Sequence, residues 1–270
     1  MNRPSPELLR QAAWQVWDQV EHLLSGLTDD DWLRPTPCVG WSVRDVAAHL
    51  GHVEGMLVHQ FPQPDPPADW DGSDLSPLDQ VNNLGVESRR AWTIAEVVDE
   101  VTRAGEATRQ LLARPDLDWD EEALTPIGPA PRWTAVEMRV NDLVIHLADM
   151  RNALGEPLQA ASGAAADQVA VGRALRLTPW AWVKRARAVE GETLHLQLSG
   201  AEGGEAWITV EQGRAVSREP AEKAAATISG SAYAYLLAVT GRHALVGPAG
   251  GLVVRGERGR RLLADYRLVG

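Results

Sequence analysis

Residues 132–155 read RWTAVEMRVNDLVIHLADMRNALG, a nearly complete helix specification with three polar residues where a core helix has no need of them. Thr134 followed by Glu137 has the form of a capping box, and Gly155 with Pro157 is a stop signal, so the spacing predicts a helix between them. At about 100° per residue, Val136, Val140, Leu143, Leu147, Met150 and Leu154 make an apolar stripe, with Glu137, Asn141, Ala148, Arg151 and Asn152 on the solvent side. Asp142, His146 and Asp149 fall on neither face. At i, i+4 and i+7 they stack as acid, imidazole and acid beside an apolar stripe, which is the pattern of a ligand set. A plain carboxylate–histidine pair on a helix surface is the competing reading of the same spacing.

The chain around this helix has 270 residues, more than one domain usually holds, so two domains are expected, each able to bury its own core. A net charge of −11 and no visible basic stripe argue against nucleic acid or an anionic membrane as partner, although a local arginine can still attract a small anion. No apolar run reaches the roughly 20 residues of a membrane span, and MNRPSPELLRQ lacks a hydrophobic signal region, so a cytoplasmic protein is expected. Cys38 is the single cysteine, which excludes an internal disulfide and fits a reducing compartment.

A first helix is expected from Ser5 as cap, with Pro6 in its first turn and Leu8, Leu9, Ala12, Val16, Val20, Leu23 and Leu24 inward, to Gly26. The turn-rich LTDDDWLRPTPCVG leads into a second helix capped by Ser42 and Asp45, with Trp41 able to staple onto Val46 and Phe61-Pro62 as its end. Residues 62–75 read as a long loop. Ser76-Pro77 opens a third helical region, and Thr93 with Glu96 restarts it to about Arg114, with Val97, Val101, Ala104 and Leu111 inward; either Gly85 or Thr93 could divide it. With the helix of residues 132–155 these segments make a four-helix bundle the natural architecture. Beyond Pro157 the pattern changes: a helix over 164–187, period-two strands in TLHLQLSG and EAWITVEQG, short strands at Ala224–Ile228 and Leu252–Val254, and helices in SAYAYLLAV and RGRRLLADY. The fold class is therefore α+β, with a bundle domain over residues 1–157 and a smaller, mainly antiparallel α+β domain over 158–270.

The second helix carries His49, His52 and His59. His49 lies within about 40° of Val53 and Met56, at the margin of the apolar face, while His52 and His59 turn about 60–80° toward the polar side. An inward His49 together with Asp142 and His146 on another helix of the bundle would give a divalent ion two imidazoles and one carboxylate. Open positions would remain for water or substrate, as in a catalytic site. That set suits zinc and also iron(II). Asp149 is then a candidate to orient an imidazole from behind, and an ordinary helix-end charge otherwise.

TPCVGWSVRDVAAHL, followed about a hundred residues later by RVNDLVIHLADM, resembles the DinB-like metalloproteins of the mycothiol-dependent maleylpyruvate isomerase family. The second half, most plainly SAYAYLLAVTGR, resembles that family's sterol-carrier-like C-terminal domain. The resemblance implies a metal held by His49, Asp142 and His146, zinc foremost with iron, nickel or manganese as the other candidates. It also implies mycothiol or a similar small thiol as co-reactant and a small electrophile as substrate. The thiolate would add to an electrophilic double bond and either leave after rotation, giving isomerisation, or stay, giving S-transfer. Family members often carry glutamate where this chain has Asp142, and the aspartate is shorter by about 1.3–1.5 Å of reach. On reach alone, Asp142→Glu should keep or tighten metal binding. Arg139, one turn before Asp142, and Arg242, in the VTGR stretch, are the candidates for holding an anionic substrate. Cys38, with no basic partner near it in sequence, reads as packed and inert. The competing functions are a non-catalytic metal-binding or stress protein and a metal-dependent hydrolase, in which water takes the place of sulfur.

Overall fold

The structure, a computed structural model, describes residues 3–58, 76–125, 128–156, 162–200, 202–221, 223–243 and 251–266, with the single positions 65, 68, 70, 71, 245 and 246. The chain divides into two compact units, Pro4–Pro157 and one formed mainly by Leu158–Gly270. No helix among the described residues is long and apolar enough to cross a membrane.

The first unit is a bundle of α1 (Pro6–Ser25), α3 (Val43–Leu57), α5 (Ile94–Ala113) and α6 (Arg132–Ala153). α1 packs on α5 and α6, and α3 packs on the same two helices, so the four close into a ring. Caps set their ends. Ser5 Oγ accepts from the N–H of Leu8 at 3.2 Å, and Pro6 spends no donor in the first turn. Ser42 with Asp45 and Thr93 with Glu96 form the two expected capping boxes. The third helical region divides after Glu87 into α4 (Pro77–Glu87) and α5, with Gly85 inside α4. On α5 it is Leu112, not Leu111, that is buried. The turn-rich passage contains a single helical turn, α2 (Asp29–Trp32), with a Thr28–Asp31 capping box. The expected loop over 62–75, the Phe61-Pro62 stop and His59 lie outside the described residues apart from a few positions, and α3 ends at Leu57.

α6 departs from its wheel in two ways. Its N-cap is Pro131 with no side-chain cap, so the Thr134–Glu137 box does not form. The chain enters from β2 (Ala130–Pro131), paired with β1 (Glu122–Ala123), and the carbonyls of Glu121 and Trp119 accept from the N–H groups of Arg132 and Trp133 at 2.8 and 3.1 Å. Those bonds satisfy the first-turn donors a capping side chain would have served. The helix is also buried nearly all round: Glu137, Asn141 and Ala148, expected to face solvent, are as inaccessible as the apolar stripe. The C-terminal stop is as expected. Gly155 takes φ +77°, and the N–H groups of Glu156 and Gly155 reach the carbonyls of Arg151 and Asn152, a Schellman motif.

The second unit opens with α7 (Ala164–Lys184). It continues into a sheet of β3 (Thr193–Ser199), β4 (Gly204–Glu211), β5 (Arg214–Arg218), β6 (Ala226–Ser231) and β7 (Val253–Arg255), in the order β5-β4-β3-β6-β7. Only β3 and β6 pair in parallel; the other pairings are antiparallel. α8 (Ala232–Val239) lies in the chain between β6 and β7, and α9 (Glu257–Asp265) follows β7.

Candidate metal centre

α3 and α6 bring His49, Asp142 and His146 together. His49 Nε2 is 3.5 Å from Asp142 Oδ2, and His146 Nε2 is 3.5 Å from Asp142 Oδ1. One donor atom from each residue falls within a common 4.8 Å. Atoms bonded to a tetrahedral zinc at about 2.0–2.1 Å lie about 3.3–3.4 Å apart, so these separations are near those of a zinc ligand shell. They are too long for good hydrogen bonds, which run to about 3.2 Å. Among the described residues, neither nitrogen of His49 nor Nε2 of His146, all three buried, has a hydrogen-bond partner. A buried polar atom without a partner carries a desolvation cost, and here the Nε2 atoms of both rings converge beside a carboxylate. The donor set fits a divalent cation.

The protonation states follow from burial and neighbours. Burial pushes His49 down to about 4, against the pull of Asp142, so it is neutral at pH 7 and one of its ring nitrogens carries a lone pair. Burial also works against a charge on His146, yet Asp142, Asp149 and Cys38 together raise it well above the ordinary imidazole value. Burial works likewise against charge on Asp142, and the positive charges of His146 and Arg139 hold it well below the ordinary carboxylate range. Without a cation, the proton of the cluster therefore rests on His146.

His146 uses its other nitrogen on the far side. Nδ1 is 3.1 Å from Asp149 Oδ2, and Cys38 Sγ donates to the same oxygen at 3.2 Å while standing 3.7 Å from Nδ1. Cys38, expected to be packed and inert, makes these contacts because the loop before α3 lays it against α6, more than a hundred positions on in sequence. Cys38, His146 Nδ1 and Asp149 are themselves close enough to form a second ligand set. The first set is the better site, because Nδ1 and Asp149 already satisfy each other while the Nε2 atoms have no partner. Trp41 lines the first set, its ring centroid 5.1 Å from that of His49 and 6.4 Å from that of His146.

Arg139 is buried, its Nε donating to Glu54 Oε2 at 2.9 Å and its Nη1 to Asp142 Oδ2 at 2.6 Å. Its Nη2 is buried with no hydrogen-bond partner among the described residues. Arg242 belongs to the second unit, just past α8, where its Nη1 donates to the carbonyl of Thr240 at 2.7 Å. His52, expected toward the polar side, is buried instead, because α4 covers that side of α3. A Cβ on Gly85 would come within 2.1 Å of its ring, and Arg89 Nη1 lies 3.4 Å from its Nδ1. Arg89 in turn grips Glu100 through Nε and Nη2 at 2.5 and 2.6 Å, a buried bidentate pair apart from the metal candidates. Sequence reasoning also missed Glu54 and Thr108. The signal was present: Glu54 continues the buried stripe of Ala47 and Leu50, and Thr108 that of Val101 and Ala104.

Comparison with known proteins gives three findings. No curated protein matches the chain. Among solved structures, the crystal structure of the mycothiol-dependent maleylpyruvate isomerase matches with a TM-score of 0.61 and 15% identity, covering 95% of this chain and 94% of that one. A histidine-to-alanine mutant of that enzyme matches over the same shares at 15% identity with a TM-score of 0.58. At such identity the likeness speaks for the fold. The sequence profile of the mycothiol maleylpyruvate isomerase N-terminal domain matches residues 13–151, which include Cys38, His49, Asp142, His146 and Asp149. Since that match spans about half of the chain, the protein belongs to the mycothiol maleylpyruvate isomerase N-terminal domain family.

Proposed function

We propose that the protein is a metal-dependent isomerase, or a closely related S-transferase, that uses a small thiol of the mycothiol type on a small electrophile. His49, Asp142 and His146 hold the metal in this reading. The observation that carries it is the convergence of buried, partnerless imidazole nitrogens from α3 and α6 on one carboxylate. Family membership supports the thiol as co-reactant.

A divalent cation held by three protein ligands supplies an open position at which a thiol is kept as thiolate at neutral pH. The protein's own groups do the rest. His49 arrives neutral, so burial has already removed the proton that would compete for its lone pair. His146 would have to shed its raised proton to serve as a ligand, and Asp149 keeps its ring oriented through Nδ1. Trp41 shields one side of both rings from water. For an anionic electrophile, Arg139 offers Nη2.

Cobalt(II) substitution followed by thiol titration tests the proposal. A thiolate-to-cobalt charge-transfer band near neutral pH is expected, and it should vanish in His49→Ala and His146→Ala. A wild-type protein that binds cobalt but responds only to hydroxide would favour a hydrolase. One that holds no metal would leave the family's fold without its chemistry.

A further inference from the structure

Three buried side chains that the ligand set does not use form an unbroken line into it. Thr108 Oγ1, on α5, makes a short hydrogen bond to Glu54 Oε1, on α3. Glu54 Oε2 accepts from Arg139 Nε at 2.9 Å, and Arg139 Nη1 donates to Asp142 Oδ2 at 2.6 Å. Thr108, Glu54 and Arg139 are 7%, 3% and 8% exposed. Burying a guanidinium between two carboxylates is a poor route to stability, since well-packed apolar residues of similar volume are often as stable or more so. What such an arrangement does supply is direction. Asp142 has only two side-chain torsions, and a bond from an arginine that is itself anchored leaves neither free.

We infer that Thr108, Glu54 and Arg139 form a positioning relay that aims the Asp142 carboxylate at His49 and His146, so that the cation site is built around the shorter acid. The inference rests on the metal reading above. Asp142 Oδ2 carries the Arg139 bond and stands 3.5 Å from His49 Nε2, while Oδ1 faces His146 Nε2 at 3.5 Å, so the anchored carboxylate presents one oxygen to each imidazole. The methylene that aspartate lacks is made up by orientation: both imidazoles are already at ligand-shell spacing from its oxygens.

Zinc competition titrations and cobalt(II) absorption spectra of the full-length protein test this. The variants are Thr108→Val, Arg139→Lys and the double variant Glu54→Gln/Arg139→Met, which leaves no lone charge behind. The double variant should bind zinc at least tenfold more weakly, with a weaker cobalt d–d band as the geometry opens. Arg139→Lys should recover part of both, and Thr108→Val should show a few-fold loss in the same direction. A folded double variant with wild-type affinity and spectrum overturns the relay. If the double variant does not fold, Thr108→Val decides: it deletes one hydroxyl and keeps the shape, and an unchanged cobalt spectrum and affinity overturn the inference. Wild-type protein that binds neither ion overturns the metal reading itself, an outcome distinct from the others.

Discussion

Replacing Asp149 by asparagine separates the orientation of His146 from its mere presence. The carboxylate is fully buried, and its Oδ2 receives both His146 Nδ1 at 3.1 Å and Cys38 Sγ at 3.2 Å. With Nδ1–H spent on Asp149, the neutral ring must carry its lone pair on Nε2, the nitrogen that faces Asp142 and His49. Asparagine has nearly the same shape and still offers one acceptor oxygen, but the bond it accepts is no longer assisted by charge. Hydrogen bonds to charged groups contribute about 1.5–3 kcal/mol and neutral ones about 0.5–1.5. The expected loss is therefore about 1–2 kcal/mol, or roughly a five- to thirtyfold rise in the zinc Kd. That agrees with the roughly 10–100-fold cost of removing a partner behind a metal-bound histidine.

A second effect runs the other way. Asp149 is one of the groups that hold the proton on His146, so its loss also weakens the competitor that zinc must displace. At low pH the two effects offset each other, and at high pH only the lost orientation remains. Zinc competition titrations at pH 6.5 and 8.5 should thus show a larger deficit for Asp149→Asn at the higher pH. An affinity within twofold of wild type at both values would refute the reasoning, and would mean that Asp149 is simply a buried neighbour.

Asp142→Glu should weaken zinc binding several-fold, against the expectation from reach, because the longer acid must break from Arg139 to avoid crowding imidazole nitrogens already 3.5 Å away; tighter binding in the same titration would restore the argument from reach. Metal uptake at pH 7 should release about one proton, from His146 and not from His49, measurable by calorimetry in buffers of different ionisation enthalpy. The same proton sets a sign for stability without metal: His146 is raised on folding, so its contribution is fully present below about pH 6.5 and is lost as pH rises through the raised value. Urea denaturation of metal-free protein should therefore show a midpoint that falls across that window, and a midpoint that rises would contradict the assignment. Gly85→Ala should destabilise the protein by about 1–2 kcal/mol in spite of alanine's better helix propensity, since overpacking costs about 1–3 kcal/mol; the added Cβ would come within 2.1 Å of the His52 ring, and a stabilised variant would show that α4 yields readily.

The sequence showed what a single helix can show. Ser5, Ser42 and Thr93 are caps because their bonds run three residues along the same chain, and Gly155 ends α6 for the same local reason. The triad His49, Asp142 and His146 was legible because i and i+4 on α6 share an edge and His49 lies at the margin of an apolar face. A wheel, however, does not count neighbours. It gave α6 a solvent side, whereas α1, α3, β1 and β2 all pack on that helix and Glu137 and Asn141 are buried. It turned His52 outward because nothing in α3 announces that α4 will cover it. Glu54 and Thr108 stood in plain view as polar residues on buried stripes, but their pairing crosses from α3 to α5 and 54 positions of sequence.

The same limit explains Cys38, and correcting it changes how the site works. Read alone, a cysteine without a neighbouring base is a small apolar residue; placed 3.2 Å from Asp149, it is a donor to the carboxylate that orients His146. His146 then divides its labour by nitrogen, with Nδ1 held by groups from the loop before α3 and from its own helix, and Nε2 presented to the ligand pocket. Asp142 is likewise anchored, with Oδ2 tied to Arg139 and each of its oxygens facing one of the two imidazoles. In the proposed metal site, each ligand on α6 is thus fixed from behind by a residue that never needs to touch the cation. Such a site tolerates the loss of a methylene at position 142, since the aim of the carboxylate is set by its supports and its length is only one of the terms that bring it into range.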